Sequence, residues 1–530
     1  MDTELTAQSW VALTIFAATV AVCIRPVTFK VPVNLTSNKS KPARTLTLSL
    51  ATAPPLAILI LLAAQTASLE DLKYGIIGGD GAIVPYSILL LVLSLALLCI
   101  GIDETGLFRA VAWKVANRKK ADARGLFRDF FLLSTVLTVL TSNDVVVLTV
   151  TPILIYFTKG AKLDPVPYLI SGFWVCNIAS MALYIGNPSN VIVAQANNIN
   201  VLEYTKLMGL PTLVALLIAY GASLALFWRR IPAQMESPSL DAAEYVISDV
   251  FGAWFGSILL GISLILLMTM PLFVDVAVWV LTLPFALLLL LRVLLLDLIS
   301  LRETRHQVKV SVEIPPVHNS SASAATPDAS NDQLVNQDNE TSLLNSATAL
   351  KDQMARFPRT TSILSRLPYN LIPFNLGMFI LVETLTSRGW TSLLARGLAA
   401  VSYSRASTIL AIGGIATLAC NALNNLPMTI LFSRALAHPL YLRGVAAFTG
   451  DVARRQKEAQ FALVVGSNLG ANVLFMGSLA GIMWVDLVVT RWKVEGITQG
   501  RFLAWCLFVT PFVLLGACGA LIGEMSVEGF

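Results

Sequence analysis

The stretch VLTVLTSNDVVVLTVTPIL, residues 136–154, decides the fold, because polar residues interrupt an otherwise apolar run at its centre. A second stretch of the same kind, ATLACNALNNLPMTILF, occupies residues 416–432. Each is followed by another polar break, GNPSN at 186–190 and GSNLGAN at 466–472. The chain therefore carries two pairs of interruptions inside apolar sequence.

The spacing of the breaks is the same in both halves of the chain. Asn143 precedes Asn187 by 44 residues, and Asn424 precedes Asn468 by 44 residues. Matched interruptions of this kind are typical of secondary transporters, in which broken helices hold a solute near the midplane of the bilayer.

The composition excludes a soluble protein. Hydrophobic residues make up 56% of the 530 residues and charged residues 13%, and the mean hydropathy is +0.72, whereas soluble domains carry about 25% charged residues. The net charge of +5 lies largely in loops, where Lys and Arg set membrane orientation, and no basic aromatic patch indicates nucleic acid. Six cysteines and three histidines show no metal-ligand spacing, so we expect neither a disulfide framework nor a metal site.

Apolar segments long enough to span a bilayer, or nearly so, follow one another along the chain. They lie at 9–24, 46–67, 83–101, 166–195, 206–228, 251–270, 273–291, 368–386, 459–485 and 501–523. The segments 127–157 and 406–436 are interrupted at their middle, which predicts a re-entrant hairpin or a discontinuous helix for each. The segments 166–195 and 459–485 contain the second breaks and are predicted to be broken spans.

The basic clusters all fall on one side of the membrane if 127–157 enters and leaves by the same face. The second hairpin then enters from the opposite face. We therefore predict an all-α polytopic membrane protein built from two inverted repeats with re-entrant hairpins and discontinuous helices. Its parts are a first half at 1–230, spans opening the second half at 251–301, a disordered cytoplasmic linker at 302–365, and the remainder of the second half at 366–530.

Several short motifs resemble one family in the same order along the chain. They are DETGLF at 103–108, ND at 143–144 through TP at 151–152, LGM at 376–378, NNLP at 424–427 and GSLA at 477–480. In these motifs the chain is similar to the ArsB-type arsenite and antimonite permeases of the ion transporter superfamily. That superfamily, with its citrate-transporter-like domain, also holds dicarboxylate transporters, certain sodium/proton antiporters and plant silicon efflux carriers. The chain departs from the arsenite type at Asn468, where those proteins tend to carry an acid, and at Ala471, where they carry proline.

Asp144 is the only carboxylate at the centre of a predicted membrane break, and Asn425 occupies the matching position in the second half. An ionised acid inside a bilayer costs several kcal/mol unless it binds a cation, accepts hydrogen bonds or takes a proton. We therefore expect Asp144 to couple transport to H+ or Na+. The alternative is that Asp144 caps the second half-helix of its hairpin, because Asp is a preferred N-cap residue.

The predicted substrate site consists of polar, uncharged side chains beside half-helix N-termini, whose positive potential suits an anion or a hydroxylated solute. The candidates are Ser142, Asn143, Asn187, Ser189, Asn190, Asn424, Asn425, Ser467, Asn468 and Asn472. The structural breaks are assigned to Gly186, Pro188, Pro427, Gly466 and Gly470, and some of the amides serve only the backbone groups freed there. No Lys or Arg occurs in the four breaks, which favours a small neutral polyhydroxy solute over a multiply charged carboxylate.

The predicted function is proton-coupled efflux of small metalloid hydroxides, such as arsenous or silicic acid, by alternating access. Alternatives within the superfamily are an anion or dicarboxylate transporter and a sodium/proton antiporter, and a more distant alternative is a non-transporting membrane receptor. No nucleophile elbow or phosphate-binding loop occurs, so we expect neither an enzyme nor intrinsic ATP drive, which leaves room for a separate ATPase partner.

The expected partners are the lipid bilayer and a small polar solute, without nucleic acid, and a homodimer is left open. No cofactor is expected beyond the coupling ion, H+ or Na+. We expect the chain to be a multi-pass protein of a plasma membrane or an organelle membrane.

Overall fold

The computed structural model of the chain describes residues 5–31, 44–78, 84–116, 122–234, 246–270, 273–274, 276–312, 357–367 and 369–527. Nearly all regular structure in these ranges is helical. This follows from the apolar composition, because in a bilayer each backbone amide must find its hydrogen bond within its own segment.

The elements of the first half lie in the following order along the chain. They are α1 (Ala7–Ile24), β1 (Val27–Val31), β2 (Arg44–Leu48), α2 (Ala53–Ala63), α3 (Leu69–Ile77), α4 (Pro85–Glu104), α5 (Leu107–Ala116), α6 (Ala123–Leu140), α7 (Asn143–Gly160), α8 (Pro165–Ala179), α9 (Pro188–Ala196) and α10 (Val201–Phe227). The strands β1 and β2 pair antiparallel, and a 3-10 turn at Tyr184–Gly186 separates α8 from α9.

The second half is also built mainly of helices. Its helices are α11 (Val250–Thr269), α12 (Leu283–Val312), α13 (Pro358–Arg366), α14 (Leu371–Ser387), α15 (Trp390–Ala400), α16 (Arg405–Leu423), α17 (Asn425–Leu436), α18 (Pro439–Ala446), α19 (Val452–Gly470), α20 (Leu479–Val485) and α21 (Gln499–Val527). A 3-10 turn at Val278–Leu281 precedes α12, another at Phe475–Gly477 separates α19 from α20, and a π-helical segment, Asp486–Arg491, follows α20.

Within the described ranges, seven helices are long and apolar enough to cross a membrane. They are Ala7–Ile24, Pro85–Glu104, Val201–Phe227, Val250–Leu267, Trp279–Arg302, Arg405–Leu423 and Gln499–Val527. The predicted helical, polytopic membrane fold is confirmed, apart from the short pairing of β1 with β2. The segment 46–67 is not a single span, because β2 occupies its start and α2 covers only Ala53–Ala63.

The segment predicted at 127–157 is a helical hairpin with Thr141 and Ser142 at its tip. Phe130 on α6 and Phe157 on α7 are 27 positions apart (157 − 130), yet their ring centroids lie 5.6 Å apart. A continuous helix would separate these residues by about 40 Å. The chain therefore reverses between α6 and α7.

The segment predicted at 406–436 is a hairpin as well. At the start of α16, Thr408 Oγ1 accepts a hydrogen bond from Arg455 at 3.4 Å. At the end of α17, the carbonyl of Leu436 accepts one from Gln456 at 2.9 Å. Because Arg455 and Gln456 are adjacent residues, the two ends of the segment lie side by side and the chain reverses near Asn424.

The two segments that carry the second breaks pass each other in opposite directions. Gln460 on α19 donates to Asn197, just beyond α9, at 2.5 Å, and Asn472 accepts from Asn177 on α8 at 2.8 Å. As residue numbers rise along α19, the numbers of their partners fall. This antiparallel crossing is the arrangement that inverted repeats would produce, and the inversion of the two halves across the membrane stays a prediction.

The linker predicted at 302–365 is helical at both ends. The first end belongs to α12, which runs to Val312, and the last end belongs to α13. The buried carboxylate of Asp297 on α12 accepts a hydrogen bond from the backbone N–H of Thr360 at 2.8 Å, which fixes the start of α13. Residues 313–356 of the predicted linker lie outside the described ranges.

Gly466, assigned to a structural break, lies inside α19 and does not interrupt it, whereas Gly470 is the last residue of that helix and borders the break. A Cβ atom at Gly466 would lie 2.5 Å from the Cβ of Ala416, and one at Gly470 would lie 2.8 Å from the carbonyl oxygen of Thr417. These glycines therefore let α19 pack closely against α16. The break begins after Gly470. Pro427 lies in the first turn of α17, where the backbone N–H that proline lacks would have no partner within the helix.

Candidate functional site

Four helices of the two halves begin close together at the centre of the molecule. They are α7 and α17, which follow the hairpin tips, and α9 and α20, which follow the second breaks. The N-cap residues are Ser142, Asn187, Asn424 and Ser478, and each accepts a hydrogen bond from a backbone N–H in its own first turn. The unpaired N–H groups at helix starts carry partial positive charge, so this region favours electronegative atoms.

A small pocket of about 10 Å³ lies among these helix starts. Its lining residues are Asn143, Asp144, Asn187, Pro188, Asn425, Leu426, Ser478, Leu479 and Ala480. We call it the central pocket. A volume of this size holds about one water molecule, and among the described residues that line the pocket Asp144 is the only charged one.

Asn425 contributes an unpaired acceptor to the central pocket. Its side chain is 3% exposed, and its Oδ1 has no hydrogen-bond partner among the described residues. A buried acceptor left unpaired costs about 1–3 kcal/mol. Asn425 is therefore suited to accept a hydrogen bond from a bound hydroxyl group or water.

Asp144 lies in the first turn of α7 and does not cap that helix. The cap is Ser142, whose Oγ accepts from the N–H of Val145 at 3.5 Å, so the capping alternative for Asp144 is wrong. The carboxylate of Asp144 lines the central pocket and also a larger cavity beside it. It is thus placed to meet both a bound solute and water.

The larger cavity has a volume of about 510 Å³. It runs from Ser142 and Asp144, along α4 and α7, to Arg366 and to the π-helical segment Asp486–Arg491. We call that end its mouth, because the side chain of Arg491 there is 71% exposed; it pairs with Asp486 at 2.8 Å. The cavity shares Asp144, Pro188 and Leu479 with the central pocket, and we call the side of its mouth the linker side because the end of α13 lines it.

Asn468 joins the two second breaks. Its Oδ1 accepts hydrogen bonds from Ser180 Oγ at 2.9 Å and from Asn187 Nδ2 at 3.0 Å, and its own Nδ2 donates to Asn190 Oδ1 at 2.7 Å. Asn190 in turn donates to the backbone carbonyl of Ser180 at 2.7 Å. All four residues are buried, and these bonds connect the first half of the chain to the second.

A second set of bonds extends this network. Asn143 at the first hairpin tip donates to Asn177 at 3.1 Å, and Asn177 donates to Asn472 at 2.8 Å. Ser467 donates to Ser189 at 3.3 Å. The polar side chains of both halves are thus bonded mainly to one another, which fixes how the broken segments cross.

The predicted site residues fall into two groups. Those that line a cavity are Ser142, Asn143, Asn187 and Asn425, together with Asp144. Those held in the network or in backbone contacts are Ser189, Asn190, Asn424, Ser467, Asn468 and Asn472. The structure brings all of them to one region.

Sequence reasoning missed three members of this region. Asn177 and Ser180 lie near the end of an apolar run, and Ser478 caps α20 at the central pocket. An amide inside a predicted span was a usable signal for Asn177. Ser478 stood within the GSLA motif at 477–480, but its spacing from the other breaks gave no indication of a cap.

Helices that can cross a membrane, two hairpins whose tips meet at broken segments, and a cavity that ends at a polar pocket define a membrane transporter. The chain belongs to the citrate transporter family (CitMHS), whose model matches residues 45–466. The chain is accordingly an integral membrane transporter rather than an enzyme.

Known proteins of similar sequence include arsenical pump membrane proteins. One from Escherichia coli is 24% identical over 444 residues, covering 80% of this chain and 83% of the relative. A putative arsenical pump membrane protein from Bacillus subtilis is 22% identical over 447 residues, covering 80% and 84%. The expected resemblance to arsenite permeases is therefore confirmed at the level of sequence.

The fold is similar to that of a solved transporter. The crystal structure of the YdaH transporter of Alcanivorax borkumensis superimposes with a TM-score of 0.50 at 12% identity, covering 98% of each chain. At this identity the likeness bears on the fold alone.

Proposed function

We propose that the chain exports small metalloid hydroxides, such as arsenous or silicic acid, by proton-coupled alternating access. The observation that carries this proposal is the chemistry of the central pocket, where amide and hydroxyl groups surround a single carboxylate and no Lys or Arg is present. A neutral solute with several hydroxyl groups can donate to Asn425 and Asp144 while its oxygens accept from the helix starts. The sequence similarity to arsenical pump membrane proteins over 80% of the chain supports the same solute class.

Asp144 is the proposed coupling residue. As an ionised group it would be the main negative charge in the pocket, and protonation would remove that charge. A site whose charge changes with protonation binds solute differently in its two forms, which is what exchange of a proton for a solute requires.

A carboxylate solute is the second candidate. Helix starts attract anions, and the matching family is described as citrate transporters. The absence of a basic side chain from the central pocket lining argues against a multiply charged anion there, because its charge would then be balanced by helix dipoles and co-ions alone.

The test is transport into everted vesicles that contain the protein, with arsenite, silicic acid, citrate and sodium each offered with and without a pH gradient. We expect arsenite or silicic acid to accumulate when the vesicle interior is acidic, and citrate and sodium not to accumulate. Sodium-dependent uptake of citrate would replace this proposal with the second candidate.

A further inference from the structure

The larger cavity gives access to the central pocket from the linker side, whereas a transporter must also open to the other side. The route to that other side starts at Asn425, which lines the central pocket at the beginning of α17. Along α17, Thr429 and Ser433 follow at intervals of four residues, so all three lie on one face of the helix over about 12 Å. They are buried, with exposures of 3%, 0% and 1%.

The oxygens of these three side chains share one property. Asn425 Oδ1, Thr429 Oγ1 and Ser433 Oγ all lack a hydrogen-bond partner among the described residues. Many helical Thr residues bond to the carbonyl four positions earlier, as Thr158 does to Leu154 at 2.6 Å and Thr408 to Ser404 at 2.7 Å. Buried hydroxyls of Thr138, Ser171 and Ser223 are unpaired within the described ranges as well, but α17 places two such hydroxyls and an amide oxygen in one row that starts at the central pocket. Each buried polar oxygen left unpaired costs about 1–3 kcal/mol, so this face of α17 is suited to bind water or a hydroxylated solute.

The far end of this row is closed by an ion pair. Arg434, next to Ser433 on α17, forms an ion pair with Glu383 on α14 at 2.7 Å, and the two side chains are 17% and 15% exposed. The pair joins α14 to the helix that carries the polar row.

The ion pair and the mouth of the larger cavity lie at opposite ends of α14. Arg366, which lines the cavity, is the last residue of α13, five residues before α14 begins at Leu371, whereas Glu383 lies near the last turn of α14. From Leu371 to Glu383 the helix rises by about 18 Å. The row on α17 therefore leads from the central pocket away from the linker side.

We propose that Asn425, Thr429 and Ser433 line the passage by which water and a small hydroxylated solute reach the second side of the membrane, and that the Glu383–Arg434 pair closes it. Separation of α17 from α14 would break the pair and hydrate the row. Counted from the N-caps Ser142 and Asn424, α7 carries Val147 and Thr151 at the positions of Thr429 and Ser433, so the two helices differ at the middle of this row. This inference rests on the transporter function proposed above but not on the identity of the solute.

The test measures thiol labelling by a small, charged, membrane-impermeant methanethiosulfonate reagent, with Thr429→Cys and Ser433→Cys as the reporting variants. The six native cysteines are buried, and the unmodified chain gives their background. The matched control is Ala435→Cys, which replaces another wholly buried residue of α17 on a different face. Size-exclusion chromatography establishes that each variant is folded.

We expect Thr429→Cys and Ser433→Cys to be labelled, and Ala435→Cys to stay at background. Addition of Glu383→Gln should raise the labelling rate by about tenfold or more, because loss of the pair shifts the population toward the open form. Restoring a pair of reversed polarity with Glu383→Arg and Arg434→Glu should return the rate toward its original value.

Equal labelling of Ala435→Cys, or no labelling of the two reporting variants in folded protein with the pair intact or removed, would overturn the proposal. Labelling needs no solute, so its outcome is separate from that of the vesicle transport experiment. A transporter that moves citrate rather than arsenite would leave this proposal standing.

Discussion

At the scale of single residues, the site depends on the contrast between Asp144 and Asn425. Asp144 is the second residue of α7 and Asn425 the first residue of α17, so the match read from the sequence is off by one position, but both line the central pocket. One side chain can change its charge and the other cannot. The two halves of the chain therefore contribute different chemistry to the same pocket.

Substitution of Asp144 by Asn tests the coupling role. We expect Asp144→Asn to abolish the dependence of transport on pH, because an amide cannot take up the coupling proton. The measurement is the initial rate of arsenite or silicic acid uptake by everted vesicles across a series of pH values.

The control is Asp486→Asn at the cavity mouth, where the carboxylate is 48% exposed and paired with Arg491. That variant should keep the pH dependence of the unmodified chain. An unchanged pH profile in Asp144→Asn would remove Asp144 from the mechanism.

Asn468 gives a prediction about stability. Substitution by Ala leaves Ser180, Asn187 and Asn190 without their shared partner, and each buried polar group left unpaired costs about 1–3 kcal/mol. We expect Asn468→Ala to lower the free energy of unfolding by about 3 kcal/mol or more in total, measured by denaturation in detergent. Thr158→Val, which removes one hydroxyl shared between the carbonyls of Leu154 and Ile155 in an equally buried residue, should cost about 1 kcal/mol, and an equal loss in both variants would contradict the role of the network.

Asn468 also stands where arsenite permeases tend to carry an acid. In this chain its Nδ2 donates to Asn190 Oδ1 and to the carbonyl of Val464. A carboxylate at position 468 has no N–H to donate, so its oxygen would face Asn190 Oδ1 and the Val464 carbonyl oxygen, which are themselves acceptors. Rotation of the Asn190 amide group could present a donor to that carboxylate, but it would break the hydrogen bond from Asn190 Nδ2 to the carbonyl of Ser180.

At the scale of elements, the second hairpin tip carries backbone strain. Asn424 has φ +68° and ψ 151°, a region that only glycine adopts at low cost, and other residues there are strained by about 1–3 kcal/mol. Its side chain offsets part of this cost by capping α17 and by donating to the carbonyl of Met476 at 3.1 Å. The first hairpin turns without a positive φ at its tip, since Thr141 has φ −127° and Ser142 has φ −162°.

This strain predicts an order among variants of Asn424. Asn424→Ala keeps the strain and loses both side-chain bonds, so we expect it to lower the free energy of unfolding by about 1–3 kcal/mol. Asn424→Gly loses the bonds but removes the strain, so it should lie closer to the unmodified chain. The measurement is denaturation in detergent, and a glycine variant less stable than the alanine variant would show that strain at this tip is negligible.

The sequence located the hairpins more accurately than the exact positions of the breaks. Polar residues inside apolar runs were enough to locate both hairpins and the region where α8, α9 and α19 cross. The exact breaks were harder, because Gly466 and Gly470 look like interruptions in sequence but serve close packing against α16. Pairings between distant residues, such as Ser180 with Asn468, depend on how the halves cross and leave no local pattern to read.

At the scale of the whole molecule, a buried acid holds three helices together at one end. Glu458 on α19 is 1% exposed and bonds to Arg405 on α16 at 2.7 Å and to Arg455 at 3.2 Å. Arg405 also donates to Ser526 on α21 at 2.6 Å. This cluster lies at the open end of the second hairpin.

We expect Glu458→Gln to lower the free energy of unfolding by about 1–3 kcal/mol, because the half-buried Arg405 and Arg455 lose their counter-charge. Asp486→Asn breaks the exposed pair with Arg491 and should change stability by at most about 1 kcal/mol. Thermal unfolding of both variants in detergent measures the difference. Similar unfolding temperatures would mean that water reaches the Glu458 cluster more freely than its burial implies.

The bonds of Asn468 limit which motions the transporter can use. Because this residue ties the break after α8 to α19 through three side chains of the first half, pulling the halves apart at their centre would expose several unpaired polar groups at once. We therefore expect the crossing to stay intact during transport, so that cargo is admitted and released through movements of elements outside it.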